Sequence, residues 1–267
     1  MEPIDFTRSR ALNNIPAKKL QEELDTINAS SDPIEVKHVK LIATNRYAES
    51  NIPIEYWKLK MEKDFVGDPR LKQKYEEYTA DLKLSHQAGA SFCLAGGHGV
   101  GKTMTMTCIL KKASQKGYSC LYTTLSDIVS VLIQAPPEDR FLARQELIKV
   151  DFLVIDEFDP RFMASENAAD LYARTLESIF RTRSSNKQPT LMCTNSPNVV
   201  ESFHGSLKAS INSLMKGYTK VFPVLGEDIR QKSPTAIAVS KAVGVFVKEN
   251  SPDGTVSGLF VNPKESK

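Results

Sequence analysis

The sequence has few cysteines, little net charge and no long apolar run. Its four cysteines lie in or beside apolar runs and share no metal-ligand spacing, which is typical of buried thiols in a reducing cytosol. No stretch approaches the roughly 18 apolar residues of a membrane span. The first ten residues, MEPIDFTRSR, lack the apolar segment of a signal peptide. These absences argue against a disulfide framework, a cysteine metal site and a membrane protein, and they predict a cytoplasmic protein.

The formal net charge of +3 on 267 residues neither requires nor excludes binding to nucleic acid. A local basic patch for nucleic acid would be averaged away in so small a sum. The 41% hydrophobic and 25% charged residues are ordinary for a globular protein. The length suits one large domain with an appendage, or two small domains.

Residues 1–50 form a separate helical region by their pattern. Apolar residues recur at helical spacing in the stretch AKKLQEELDTIN. Asp32-Pro33 then predicts the start of a second helix, with Asp32 as N-cap and Pro33 as the first helical residue. Two short helices bury little surface alone, so they either pack on the main domain or present a face to a partner. The apolar positions of the two helices are Leu20, Leu24, Ile27, Val36, Val39 and Ile42.

Residues 51–231 form the main domain. Asn51-Ile52-Pro53 ends the preceding helix, and residues 65–88 predict one charged helix. From residue 91, strands alternate with helices, which predicts an α/β domain whose five-stranded parallel sheet is flanked by helices. Residues 232–267 form a C-terminal extension in which two β runs around Pro252-Asp253-Gly254 predict a hairpin. The five predicted strands are SFCLA, SCLYTT, FLVIDEF, PTLMCTN and KVFPVL.

A glycine-rich loop between the first strand and the next helix fits the pattern G-x-x-x-x-G-K-[ST]. Glycines let backbone N–H groups curl around phosphates, and the helix N-terminus adds its positive dipole end. Lys102 is expected to reach the β- and γ-phosphates of ATP, and Thr103 to ligate Mg²⁺. His98 is a variable loop position without an expected catalytic role. The predicted nucleotide-binding residues of this segment are Gly96, Gly97, His98, Gly99, Val100, Gly101, Lys102, Thr103 and Met104.

Polar residues end two further strands. Asp156 and Glu157 follow a continuous apolar run and are expected at the carboxyl end of the sheet, where such folds bind ligands. Asp156 is predicted to hold Mg²⁺, and Glu157 to be the base that polarises the attacking water. Asn195 ends the strand PTLMCTN and is predicted to orient that water or to contact the γ-phosphate.

These motifs resemble those of the DnaC/DnaI/IstB group of AAA+ ATPases. The resemblance rests on GGHGVGKT, FLVIDEFD and PTLMCTN in this order, with NIPIEYW before them and GEDIR after them. It covers roughly residues 51–231 and is closest to bacterial and phage DnaC-like helicase loaders. The resemblance implies an AAA+ P-loop domain, and it implies that Arg230 in GEDIR senses the nucleotide.

Such a resemblance implies a function in DNA replication initiation. The chain is expected to be an ATP-dependent loader that delivers a replicative DnaB-type helicase, with residues 1–50 as the helicase-binding arm. It is also expected to bind single-stranded DNA and to assemble with ATP into an open ring or spiral. Lys111, Lys112 and Lys116 are the DNA-contacting candidates on their helix, and electrostatic DNA binding of this kind depends on salt.

The sequence departs from this group at one position. A helix after the sensor strand usually carries an arginine that completes the neighbouring subunit's site, but SLKASINSLMKGY has none. Lys208 or Lys216 would be substitutes without the planar fork of guanidinium, and Arg181 and Arg183 are alternative donors. Because such an arginine contributes orders of magnitude in rate, hydrolysis is expected to be slow.

Two other functions stay open at this point. The first is an IstB-like transposition helper, an ATPase that binds duplex DNA and a transposase. The second is an ATP-gated adaptor with negligible hydrolysis. Helicase capture would separate the loader from the helper, and the effect of Glu157→Gln on the hydrolysis rate would separate an ATPase from the adaptor.

Overall fold

A computed structural model of the protein describes residues 10–159, 166–201, 203, 208–209, 211–213, 215 and 219–229. The chain divides into two compact units, Met1–Glu227 and Asp228–Lys267. The sheet domain belongs to the first unit. The predicted C-terminal hairpin, Arg230 and Lys216 lie outside the described residues.

Five parallel strands form one sheet in the order β2-β3-β4-β1-β5. This arrangement confirms the predicted α/β class, and each strand lies within or close to its predicted run. The ladder aligns Gly96 with Val224 and Thr124 with Asp156, so the carboxyl ends of the strands share one edge. The strands are β1 (Ser91–Gly96), β2 (Cys120–Thr124), β3 (Phe152–Asp156), β4 (Thr190–Thr194) and β5 (Thr219–Val224).

Alternate residues of β1 to β4 supply two hydrophobic cores, one on each face of the sheet. Leu153 and Ile155 point into one core, whereas Phe152 and Val154 point into the other. Burial on both faces explains why the strands read as continuous apolar runs instead of alternating patterns. The described helices are α1 (Ala17–Ala29), α2 (Ile34–Glu49), α3 (Met61–Asp64), α4 (Pro69–Ala80), α5 (Leu82–Gln87), α6 (Lys102–Gln115), α7 (Leu125–Gln134), α8 (Pro137–Lys149) and α9 (Glu166–Ser185).

Two helix boundaries differ from the prediction. The stretch 65–88 is two helices, because Asp81 leaves the helical conformation with φ −133° and caps α5 by accepting from the Leu84 N–H. Pro33, not Asp32, is the N-cap of α2, and no side chain caps that end. The Asp32 carboxylate instead accepts from Lys40 Nζ at 2.5 Å, which lowers the pKa of Asp32.

The two N-terminal helices differ in how deeply they are buried. Helix α1 buries no residue, whereas the C-terminal part of α2 buries Tyr47 and Ala48 in the core. The side chains of Ile34 and Val39, near the start of α2, are 79% and 67% exposed. The expected packing on the main domain is confirmed for the end of α2, and partner binding by its exposed start stays a prediction. No helix among the described ranges is long and apolar enough to span a bilayer.

Candidate nucleotide-binding site

The predicted phosphate loop joins β1 to the N-terminus of α6. Helix α6 begins at Lys102, and its N-cap Gly101 has a left-handed backbone with φ 95°. A Cβ on Gly96 would overlap the carbonyl oxygen of Val224 on the adjacent strand, so packing alone requires glycine there. A Cβ on Gly97 would meet no such neighbour within 4 Å. That side of the loop is therefore open to a bound group.

The Lys102 side chain lies across the loop and links it to the end of β4. Its Nζ donates to the carbonyl oxygens of Gly96 at 2.8 Å and Gly97 at 2.5 Å, and to Asn195 Oδ1 at 2.9 Å. Lys102 is 6% exposed. The structure thus brings together two predicted site residues that are far apart in sequence, Lys102 and Asn195.

Asp156 ends β3 at the same edge of the sheet and is 5% exposed. Its Oδ2 accepts from the Tyr122 hydroxyl at 2.9 Å, and its Oδ1 accepts from the Glu157 N–H at 2.8 Å. Glu157 itself is exposed and has a left-handed backbone with φ 49°. Two successive carboxylates therefore lie in different environments, one buried and oriented, the other facing solvent.

Burial determines the protonation of two groups near Asp156. Burial, followed by the nearby charge of Asp156, raises the pKa of Tyr122 far above its ordinary value. The same two causes raise the pKa of Cys193 well above that of a free thiol. Both groups stay protonated at neutral pH, and the Tyr122 hydroxyl donates a hydrogen bond to the carboxylate.

Sequence reasoning missed Tyr122 as a member of this site. On β2 it pairs with Val154, two residues before Asp156 on β3, so Tyr122 and Asp156 lie diagonally on one face. A tyrosine within an apolar strand is the signal in the sequence. Using that signal requires knowing that β2 lies beside β3.

A second missed contributor is the segment before α4. The ring of Phe65 lies where a Cβ on Gly101 would project, and Gly67 approaches the Val100 carbonyl. Asp68 caps α4, pairs with Arg70 at 2.6 Å and accepts from the Leu225 N–H at 3.4 Å. Phe65 and Gly67 therefore pack against the phosphate loop, and Asp68 links the start of α4 to the residue after β5. Residue types alone do not predict these contacts.

Arg183 is not available to a neighbouring subunit, which corrects its candidacy as a donor in trans. It is 0% exposed, and its guanidinium donates to the carbonyl oxygens of Leu147, Val150 and Pro189 at 2.8, 2.9 and 2.6 Å. Burial lowers its pKa to about 9, so the group stays charged at neutral pH. Arg183 therefore joins the end of α8 to the start of β4 inside the domain.

The remaining cationic candidates differ in exposure. Arg181 is 52% exposed and pairs with Glu177, and Lys208 is 42% exposed and pairs with Glu201. Lys111 is buried and donates to the carbonyl oxygens of Tyr56, Trp57 and Leu59, so its candidacy for DNA contact was wrong. Lys112 lies over the Tyr75 ring and donates to Thr79, while Lys116 is exposed.

The chain is similar in sequence to known proteins. The family model described as IstB-like ATP binding protein matches residues 41–191. The Escherichia coli K12 protein called replicative helicase loader DnaC is 28% identical over 156 residues, which are 57% of this chain. The match spans 58% of the length of that relative.

Two solved structures share the fold. One described as the crystal structure of DnaI has a TM-score of 0.53 and 19% identity, covering 67% of this chain and 94% of that chain. Another, the replication initiator DnaA bound to AMPPCP and single-stranded DNA, has a TM-score of 0.52 and 16% identity, covering 74% and 58%. With a family model that matches more than half of its residues, the chain belongs to the IstB-like ATP binding proteins, a DnaC-like AAA+ family.

Proposed function

We propose that this protein binds ATP with Mg²⁺ and uses it to load a replicative DNA helicase on single-stranded DNA. The observation that carries the proposal is that Lys102, Asn195 and Asp156 lie at the carboxyl edge of the sheet, in the same compact unit as the exposed apolar side chains of α2. The chain's relatives include a protein named as a replicative helicase loader.

The residues at the sheet edge fit a magnesium nucleotide. The open side of Gly97 and the N-terminus of α6 fit a chain of phosphates. Lys102 would contact the β- and γ-phosphates, and Thr103 with Asp156 would hold Mg²⁺ directly or through water. Bound Mg²⁺ would neutralise charge that develops on the phosphates. Arg230 is proposed to contact the nucleotide on the basis of the family resemblance.

Hydrolysis is proposed to be slow. Glu157 is exposed beside Asp156 and would polarise water, while Asn195 would orient it. Of the four cations considered as donors in trans, Arg183 is buried, and Arg181 and Lys208 are exposed but paired with carboxylates. Arg181 or Lys208 would have to break its pair to act as a donor, and a lysine would act only as a point charge. We therefore expect turnover to depend on assembly.

The exposed face of α2 is proposed as the helicase-binding surface. Four apolar side chains of this helix are solvent-exposed, by between 41% and 79%. Exposed apolar side chains gathered on one short helix are typical of a protein-binding site. Truncation would be a poor test, because Leu12, which precedes these helices, is a buried core residue. The four residues are Ile34, Val36, Val39 and Ile42.

Substitution on this face tests the partner. Val39→Asp is expected to abolish co-purification with a purified DnaB-type helicase in the presence of a non-hydrolysable ATP analogue, while nucleotide binding stays unchanged. Leu84→Asp is the matched control, because Leu84 is 62% exposed on another helix, α5. Full helicase capture by Val39→Asp would contradict the assignment of the binding surface to α2, and failure of the wild-type protein to capture any helicase would contradict the loader proposal.

Single-stranded DNA is proposed to contact α8. Phe141 on this helix is 62% exposed, and the exposed Arg140 and Arg144 lie one turn apart beside it. An aromatic ring stacks on bases, contributing about 1–3 kcal/mol per base, while arginines attract the phosphates. Phe141→Ala should therefore weaken binding of an oligo-dT strand at least about fivefold by fluorescence anisotropy. Unchanged affinity would remove α8 from the DNA site.

The alternative is an IstB-like transposition helper, which the name of the matching family favours. It would bind duplex DNA and a transposase. Anisotropy with a duplex of the same length separates the two functions. Tight duplex binding without helicase capture would establish the alternative, whereas preference for the single strand with helicase capture supports the loader.

A further inference from the structure

The hydroxyl group of Tyr122 is aimed at the carboxylate of Asp156 within the protein interior. The donor and acceptor oxygens are 2.9 Å apart, and Tyr122 and Asp156 are 8% and 5% exposed. The partners come from adjacent strands, β2 and β3. A hydrogen bond to a charged acceptor is among the stronger ones in proteins. This hydrogen bond therefore helps to orient the Asp156 carboxylate.

The Asp156 carboxylate is held at both of its oxygens. Oδ2 accepts from the Tyr122 hydroxyl at 2.9 Å, and Oδ1 accepts from the Glu157 N–H at 2.8 Å. Rotation of the carboxylate would break these bonds together. Loss of the Tyr122 hydroxyl would leave one oxygen without its phenolic donor and free the carboxylate to turn.

Tyr122 is itself fixed at its backbone. Its N–H donates to the Ser50 carbonyl at 2.8 Å, and its carbonyl accepts from Asn51 Nδ2 at 2.9 Å. Asn51 has a left-handed backbone with φ 53° and also holds Leu12 through Nδ2. Ser50 and Asn51, which follow α2, therefore hold the backbone of Tyr122 in place, and the side chain of Tyr122 reaches Asp156.

We propose that Tyr122 is a positioning residue that sets the orientation of the Asp156 carboxylate for the magnesium ion of bound ATP. This inference rests on the proposed nucleotide site. Mg²⁺ requires near-octahedral ligand geometry, and partners that orient a metal ligand change metal affinity when they are lost. Tyr122 is therefore predicted to affect the Mg²⁺ concentration that ATP binding requires, without contacting the nucleotide itself.

Tyr78 supplies the matched control. Its buried hydroxyl also donates a hydrogen bond, to the Ala90 carbonyl at 2.8 Å, away from the carboxyl edge of the sheet. Tyr78→Phe and Tyr122→Phe each remove one oxygen atom and one buried hydrogen bond. A purely structural role would give both variants the same loss of thermal stability and no change in Mg²⁺ dependence.

The test is a Mg²⁺ titration of fluorescent ATP binding by the full-length wild-type, Tyr122→Phe and Tyr78→Phe proteins. Tyr122→Phe should raise the Mg²⁺ midpoint about tenfold, with nucleotide affinity in EDTA within twofold of wild type. Tyr78→Phe should keep the wild-type midpoint. Equal midpoints in all three proteins would overturn the inference. A wild-type protein whose ATP binding ignores Mg²⁺ would instead overturn the proposed metal site, and the inference with it.

Discussion

Replacement of Arg183 by lysine tests whether this residue is a structural link. The guanidinium makes four hydrogen bonds of 2.9 Å or less, to Thr190 Oγ1 and to the carbonyls of Leu147, Val150 and Pro189. Lysine keeps the charge but offers three donors from one point. It cannot span acceptors on the end of α8 and the start of β4 together.

The expected loss of stability follows from the acceptors left behind. Each buried acceptor that loses its partner costs about 1–3 kcal/mol. With one or two of the four acceptors unsatisfied, Arg183→Lys should lower the free energy of unfolding by about 3 kcal/mol. Urea denaturation followed by circular dichroism measures this change. Arg181→Lys is the control, because Arg181 is 52% exposed and only pairs with Glu177 one turn away.

Two results would refute this reasoning. One is an unfolding curve of Arg183→Lys that overlies the wild-type curve. The other is a large loss of ATPase rate in folded Arg183→Lys, restored by adding a site-dead subunit that still carries the arginine. That second result would identify Arg183 as a donor in trans, a role that its burial excludes.

Three further predictions concern the site and its core. Gly96→Ala should lower the melting temperature and weaken ATP binding, because its methyl group would overlap the Val224 carbonyl; Gly97→Ala, a control with open space, should keep wild-type stability in a thermal melt. Burial raises the pKa of Cys93 to about 12 from 9.0, so iodoacetamide at pH 8 should label it only after unfolding, as mass spectrometry would show. Because the Cys93 thiol ionises at a lower pH in the unfolded chain than in the folded protein, the folded state should lose stability as the pH rises from 9 to 12. Labelling of native protein at pH 8 would contradict the burial of this thiol. Glu157→Gln should lower the phosphate-release rate at least about 100-fold with ATP affinity unchanged, and an unaltered measurable rate would exclude Glu157 as the base.

Strands and the phosphate loop were predictable because their signals are local. Lys102 starts α6 as the loop pattern predicts, and Asp156 ends the third strand. Apolar strands alternating with helices specify a parallel sheet covered on both faces, so the fold followed from the pattern. The break at Asp81 was missed because its helical spacing continues through the cap residue.

Long-range contacts were not predictable from residue type. Arg183 and Lys111 donate to backbone carbonyls, which every residue possesses. A cation with such partners looks in the sequence like a solvated surface charge. The contact between Tyr122 and Asp156 could not be predicted without knowing that β2 lies beside β3.

Calorimetric titration of ATP with Mg²⁺ into wild-type, Lys102→Ala and Lys116→Ala protein tests the central claim most directly. Lys102 lies in the loop and bonds to Asn195, whereas Lys116 is exposed just beyond the end of the same helix. The wild-type and Lys116→Ala proteins should bind with equal affinity, and Lys102→Ala should show no measurable binding. Wild-type affinity in folded Lys102→Ala would contradict the assignment of the nucleotide site.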